Sequence, residues 1–181
     1  AGTALAVLAV ILAIGITTPL VGGTTLAGFT STLGRDATFT GRTEIWASLV
    51  PDVVQQPILG ASFGGFWTAE TRENHQIGEA HNGYLDMALQ LGAVGVLLLM
   101  LFLLSSCRKA HRALANDYDW ATFGISLLLM AAVHNISESS FHSFTTHLMA
   151  VVLFLVLSLP SAMVEPSSLD PVNCASNQDV V

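Results

Sequence analysis

The sequence has few charged residues. Only 10% of its 181 residues are Asp, Glu, Lys or Arg, whereas 52% are hydrophobic. Soluble globular domains have about 25% charged residues, so this composition excludes an ordinary soluble domain. Basic residues are especially rare, with six Lys and Arg in total and a net charge of −7, which argues against nucleic acid as a partner. We therefore expect a lipid bilayer to surround much of the chain.

Cysteine is also scarce, since the chain has only Cys107 and Cys174. Both lie on the side that is predicted below to be cytoplasmic, where thiols stay reduced, so a disulfide is not expected. Neither belongs to a metal-binding motif, and the sequence has no close H-E-x-x-H pair. The glycine spacing of a phosphate loop is absent too. We therefore expect no cofactor and no nucleotide site.

Long apolar runs are the main positive feature. Because a bilayer core needs about 20 mostly apolar residues per helix, four runs are candidate spans: 3–20, 87–106, 120–133 and 147–163. The third is short and spans only if Tyr118 and Trp120 lie at one interface and His134 at the other. The predicted fold is all-α, a polytopic integral membrane helical bundle of about four transmembrane helices. A long extracytoplasmic loop, residues 22–83, should contain short helices.

The basic residues predict the orientation. Arg108, Lys109 and Arg112 follow the second span, and positive charge favours the cytoplasmic side. The loop of residues 22–83 and the connection of residues 136–146 should then be external. The chain opens without Met or a basic leader, so we expect residues 1–163 to be the C-terminal portion of a longer membrane domain, with a cleaved signal peptide as the alternative. Residues 164–181 are polar and predicted to be a disordered cytoplasmic tail.

The external loop contains one predicted helix, in which apolar residues recur at helical spacing: Ile45, Trp46, Leu49, Val50 and Val53. Thr40 is its expected N-cap, which puts Arg42 in the first turn. A cation there faces the positive end of the helix dipole, which is unfavourable unless an anion is bound. If that anion is a phosphate, the guanidinium group of Arg35, one loop upstream, could bind it together with Arg42. Alternatively, Arg42 pairs with Asp36 or Glu44 and only orders the loop.

Residues 57–67 mix glycines with aromatics, which excludes a regular helix. The segment could bring backbone close to a ligand while aromatic faces stack on sugar rings, or it could rest at the membrane interface. The polar stretch of residues 70–79 is assigned no role. At the end of the loop, Asn82 can cap the second span and His81 lies at the N-terminal end of that span. The helix dipole disfavours imidazolium there, so His81 is either a neutral proton acceptor or a polar interface residue.

His134, Glu138 and His142 are spaced four apart, as metal ligands on a helix can be. The residues between them favour a bend or a cap instead of one continuous helix. We therefore keep a metal site there only as an alternative.

Five groups of residues follow one another along the chain: Gly34-Arg35-Asp36; Thr40-Gly41-Arg42-Thr43 with Trp46; Pro57-Ile58-Leu59-Gly60 with Phe63-Gly64; His81-Asn82-Gly83-Tyr84-Leu85 followed by Gly92 and Gly95; and His134-Asn135-Ile136-Ser137-Glu138-Ser139-Ser140. Their order and spacing resemble the O-antigen ligase and polysaccharide polymerase family. The resemblance extends to about residue 163 and corresponds to the C-terminal part of proteins with more spans.

The resemblance implies a glycosyltransferase of the bacterial inner membrane. Its donor would be a glycan on undecaprenyl pyrophosphate, and its acceptor a hydroxyl of lipid A core (ligases) or of another glycan (polymerases); the motifs do not separate these two. The implied transfer is inverting, metal-independent and extracytoplasmic. By resemblance His81 is the catalytic base, Arg42 and, as a weaker match, Arg35 bind the pyrophosphate, and Glu138 is an acceptor contact or a helix cap. Because further arginines would lie upstream, we expect the fragment alone to be inactive.

Two other classes of function remain open. A transporter or flippase of lipid-linked sugars would use the same arginines without catalysis, but the runs 87–106 and 147–163 have no charged residue that could relay a proton or ion, apart from a histidine at one edge. A structural membrane anchor would leave the long external loop unexplained.

Overall fold

The computed structural model describes residues 2–21, 41–141, 150–153 and 158. Within this part of the chain every regular element is helical and there is no strand. The helices are α1 (Gly2–Val21), α2 (Arg42–Gln55), α3 (Ala69–His75), α4 (Gly83–Ala113) and α5 (Tyr118–Ser137). The predicted all-α membrane fold is confirmed, because three of the helices are long and apolar enough to cross a bilayer.

The three candidate spans are α1, α4 and α5. They confirm the first three predicted spans, and each observed helix extends beyond its predicted run. The third is not short after all: α5 has 20 residues, close to the length that a bilayer core requires. The predicted span 147–163 falls mostly outside the described residues. Residues 164–181, and Cys174 among them, lie wholly outside.

The three spans pack against one another around a common apolar core. Leu8 and Leu12 of α1, Leu103 of α4 and Leu128 of α5 are fully buried. Small residues lie beside them, namely Cys107, Ala110, Ala121, Ala131 and Ala132. Small side chains allow membrane helices to approach closely, and packing then replaces the hydrophobic effect as the main attraction between them.

A second apolar cluster lies at one end of the bundle, where α2 packs on α1 and on the first turns of α4. Its buried residues are Trp46, Leu49, Phe66, Ala80, Leu85 and Leu89. The Trp46 Nε1–H also donates to the Ala80 carbonyl oxygen at 2.9 Å. The described part of the segment between α1 and α4 therefore folds back on the bundle and has a core of its own.

Two predicted helix starts can be compared with the structure. Asn82 caps α4 as predicted, because its side chain accepts hydrogen bonds from the Tyr84 and Leu85 N–H groups. The prediction of Thr40 as the N-cap of α2 was wrong. The N-cap is Gly41, with φ 79°, a left-handed conformation that glycine adopts at little cost. Arg42 is the first residue of α2, so its predicted place in the first turn is confirmed.

The irregular conformation predicted for residues 57–67 is confirmed, and this segment interrupts α4. Gly92 has φ 62° and ψ −158°, which breaks the helix. The turn beginning at Pro57 packs on the break, since Ala93 N–H donates to Pro57 O at 2.9 Å and Val94 N–H to Ile58 O at 3.2 Å. In return, Ala61 N–H donates to Leu89 O at 3.0 Å. The turn thus binds backbone groups that the broken helix leaves free.

Candidate functional site

Three of the predicted site residues meet at the end of the bundle that carries α2. Arg42 Nη2 lies 2.9 Å from Glu138 Oε1, and His81 Nδ1 lies 3.8 Å from Glu138 Oε2. Arg42 therefore pairs with a carboxylate, but its partner is 96 residues away in the sequence and is neither Asp36 nor Glu44. Arg35 and Asp36 lie outside the described residues. Glu138 is the C-cap of α5, and its N–H donates to the His134 carbonyl oxygen.

Glu79 is a site residue that the sequence analysis missed. Its Oε1 lies 3.2 Å from His81 Nδ1, so two carboxylates face the same ring nitrogen. Glu79 ends the polar stretch of residues 70–79, which the sequence predicts to be solvated surface. The spacing of two between Glu79 and His81 is not a usable signal, because it puts side chains on one side only in an extended segment, whereas His81 is left-handed with φ 51°.

His81 is held in an unusual backbone conformation by its neighbour Asn82. The φ of His81 is 51°, in the left-handed region that residues other than glycine rarely adopt. Asn82 is fully buried, and its Nδ2 donates to Ile136 O at 3.0 Å and to Gly15 O at 3.4 Å. Because its Oδ1 also caps α4, this one amide ties α1, α4 and α5 together directly beside His81.

The backbone on both sides of His81 is fixed as well. Ala80 N–H lies 3.3 Å from Asp86 Oδ2, while the Ala80 carbonyl accepts the Trp46 hydrogen bond. The Trp67 Nε1–H donates to Asp86 Oδ1 at 2.8 Å. Asp86 is fully buried, and its carboxylate accepts both hydrogen bonds. It anchors the segment that leads to His81.

The segment carrying Glu138 is docked on the start of α4. Gly83 N–H donates to Glu138 O at 3.0 Å, and a Cβ at Gly83 would overlap the Asn135 side chain. Asn135 Oδ1 in turn accepts from the Ser140 and Phe141 N–H groups at 2.8 and 3.0 Å. The chain therefore bends sharply after α5, as predicted for this stretch. Only glycine at position 83 allows this close approach.

The cluster is open to solvent on one side. Side-chain exposure is 20% for Arg42 and 41% for Glu138, so a ligand can reach both groups. Glu79, His81 and Glu138 also place one potential ligand atom each within 4.8 Å of one another. These three side chains could therefore either exchange a proton among themselves or bind a cation. The metal alternative with His134 and His142 stays untested, because His142 lies outside the described residues.

A histidine outside this cluster also has a partner. His75, at the end of α3, lies 3.1 Å from Asp52 of α2 through its Nε2. This contact links the two short helices between α1 and α4. It was not foreseen, because the spacing of 23 residues carries no helical or strand periodicity.

Residues 1–100, more than half of the chain, match the family model described as O-antigen ligase. The chain belongs to the O-antigen ligase family. The matched residues include Arg42 and His81, whereas Glu138 lies beyond them. The family likeness that the sequence motifs indicated is thereby confirmed.

A curated protein named for exopolysaccharide production is a distant relative of this O-antigen ligase family chain. It is the exopolysaccharide production protein ExoQ of Rhizobium meliloti (strain 1021), 25% identical over an alignment of 111 residues that covers 53% of this chain and 26% of ExoQ. The chain thus spans about a quarter of the length of that relative. No solved structure matches the chain.

Proposed function

We propose that the protein is a membrane glycosyltransferase that moves a glycan from undecaprenyl pyrophosphate to an acceptor hydroxyl, with inversion and without a metal. The acceptor would be lipid A core or another glycan. One observation supports this proposal: the side chains of Arg42 and His81 both lie against the Glu138 carboxylate. Such a transfer needs a base for the hydroxyl proton and fixed positive charge for the leaving pyrophosphate.

Arg42 is suited to bind the pyrophosphate. It opens α2, where the first N–H groups have no acceptor within the helix and the dipole favours an anion. An anionic group, the Glu138 carboxylate, already lies against its guanidinium. The same position therefore accommodates negative charge, and a donor phosphate would compete with Glu138 for it. Planar guanidinium groups bind phosphate oxygens in a bidentate manner, which a lysine cannot do.

His81 is suited to accept the proton. A neutral imidazole has one N–H donor and one acceptor nitrogen, and the hydrogen bond to one nitrogen sets the role of the other. The carboxylates of Glu79 and Glu138 lie 3.2 and 3.8 Å from Nδ1, although Nδ1 makes no hydrogen bond to the described residues. We assign the N–H to Nδ1 and the lone pair to Nε2, because the negative charge of the two carboxylates favours a proton on the nitrogen that they face. Nε2 then takes the hydroxyl proton as the oxygen–carbon bond forms. The bond to the pyrophosphate oxygen breaks in the same step, and its electron pair stays on the pyrophosphate beside Arg42.

The arrangement along α4 supports an extracytoplasmic site. His81 precedes Gly83 at the start of α4, and the basic cluster begins at Arg108, about 38 Å further along a helix that rises about 1.5 Å per residue. This distance exceeds the thickness of a bilayer core, about 30 Å. The site and the basic cluster thus belong on opposite sides of the inner membrane. By the positive-inside rule, the cluster faces the cytoplasm and the site faces outward.

A transporter of lipid-linked sugars is the second candidate, because α4 is broken at Gly92 and transporters often use broken helices to bind their substrates. In transporters the freed backbone groups bind substrate or ions. Here the turn at Pro57 and Ile58 fills the break. This difference favours the transferase.

The test uses the full-length protein in vesicles without an ion gradient, supplied with lipid-linked donor and acceptor. We expect product formation, unchanged by a chelator. His81→Ala should lower the rate of product formation about 10²–10⁴-fold but retain donor binding, whereas His111→Ala, in the last turn of α4, should behave as wild type. Transport of the donor without product would establish the second candidate. Loss of product on chelation would refute the metal-free reaction.

A further inference from the structure

The turn of residues 57–64 is fixed to α4 by four hydrogen bonds around Gly92. Three join backbone groups, as described for the break, and in the fourth Gly64 N–H donates to Gln90 Oε1 at 2.8 Å. A Cβ at Gly60 or at Gly92 would overlap backbone atoms of the other segment. The turn and the helix are therefore in direct backbone contact, and the position of the turn follows from that of Gly92.

The depth of Gly92 in the bilayer can be worked out from α4. Gly92 lies sixteen positions before Arg108, the first charged residue of the basic cluster. They correspond to about 24 Å of helix, and the hydrocarbon core is about 30 Å thick. If Arg108 lies at one boundary of the core, Gly92 lies about 6 Å inside the other boundary. The turn bound to it reaches the same depth.

The outer surface of the turn is apolar. Exposure is 66% for Ile58, 68% for Leu59 and 55% for Phe63. Large apolar residues are also exposed on α4 directly beyond the turn, at Val94, Leu97, Leu98 and Leu101. Their spacing puts them on one face of the helix. Because Val94 N–H binds Ile58 O, the turn continues that face toward the site.

We propose that residues 57–64 insert into the bilayer boundary on the side of the site, with Ile58, Leu59 and Phe63 in contact with lipid acyl chains. Irregular backbone is tolerated at membrane depth only when its polar groups are satisfied by protein. The hydrogen bonds to the broken helix meet this requirement. The lipid surface is favoured over a protein partner because the exposed residues continue the apolar face of a membrane span. The inference does not depend on the proposed reaction.

The test is depth-dependent fluorescence quenching in the full-length protein, made free of native cysteines and reconstituted in vesicles. Single cysteines at Ile58, Leu59 and Phe63 would carry an environment-sensitive fluorophore. We expect blue-shifted emission, and stronger quenching by lipids brominated near the headgroup than by lipids brominated near the chain end. Leu98→Cys is the control for deep membrane, and Asn74→Cys on α3 is the control for water.

Two outcomes would overturn the proposal. Labels at the turn that resemble the Asn74 label, unquenched by lipid and with water-exposed emission, would place the turn in solvent. Blue-shifted labels that no lipid quenches, with quenching retained at Leu98, would show that other parts of the protein cover the turn. Neither outcome affects the assay of glycan transfer, so the two proposals fail separately.

Discussion

Replacing Glu138 by Gln tests whether this carboxylate occupies the anion position of the donor. The change removes the charge but keeps the size of the side chain, and the hydrogen bond from Gly83 to the Glu138 backbone oxygen stays. The ion pair with Arg42 is 2.9 Å long and partly exposed. Pairs of this kind contribute about 0.2–1 kcal/mol. If the donor must displace Glu138, Glu138→Gln should tighten donor binding by up to about fivefold.

The measurement is the dissociation constant of the full-length protein for lipid-linked donor, by titration in detergent or vesicles. Glu73→Gln is the matched control, since it removes the same charge from an exposed position on α3. The gain should shrink as salt is added, because ions screen charges at exposed positions. Weaker donor binding in Glu138→Gln would refute the reasoning. It would mean that Glu138 positions Arg42 for the donor and does not compete with it.

Four further predictions concern the site, its orientation and the broken helix. Arg42→Lys should retain part of the activity and Arg42→Ala very little, because lysine keeps the charge but not the planar fork; donor binding and product formation are the measurements. His81→Ala should lower the rate about 10²–10⁴-fold, because the acceptor hydroxyl then has no base; product formation and donor binding are the measurements. An impermeant thiol reagent should label Thr71→Cys in intact cells but not Asn116→Cys, which is exposed at the other end of the bundle. Gly92→Ala should destabilise the protein by about 1–3 kcal/mol through its left-handed backbone alone, measured by thermal unfolding in detergent.

Each of these predictions has a clear contrary result. Full activity of Arg42→Ala at a normal protein level would reduce Arg42 to a structural residue. Near-wild-type turnover of His81→Ala would refute the base, and lost donor binding would make His81 a positioning residue. Reversed labelling would overturn the orientation. Stability of Gly92→Ala equal to that of Gly78→Ala, where a Cβ meets no neighbour, would show that the break tolerates a side chain.

Orientation cannot be tested with the native Cys107, because the structure buries this residue completely. Its failure to react would follow from packing as well as from a cytoplasmic location. The exposed Asn116 in the connection between α4 and α5 avoids this ambiguity.

The spans were predictable because hydropathy acts locally: any uncharged run of about 20 apolar residues favours the bilayer wherever it occurs. The cap at Asn82 was predictable for the same reason, since a cap depends on residues within one turn. The break at Gly92 was not predictable. Glycine is frequent in membrane helices, and here its role depends on a turn more than 25 residues upstream.

The site was predictable in part. Arg42 and His81 were identified by resemblance, and the structure brings them to one carboxylate. The partner of Arg42 was not predictable, because local spacing suggested Asp36 or Glu44 whereas tertiary packing presents Glu138. Glu79 was missed because a single carboxylate in a polar stretch gives no local sign of its tertiary partner, and the left-handed backbone of the neighbouring His81 was not predicted either.

The two indole hydrogen bonds near the site offer an intrinsic optical signal. Trp46 donates to Ala80, directly before His81, and Trp67 donates to Asp86, which also binds Ala80. The third tryptophan of the sequence, Trp120, lies in the first turn of α5 at the far end of the bundle. A ligand that shifts the segment before His81 would therefore change the emission of two indoles and leave the third as an internal reference, so binding could be followed without any attached dye.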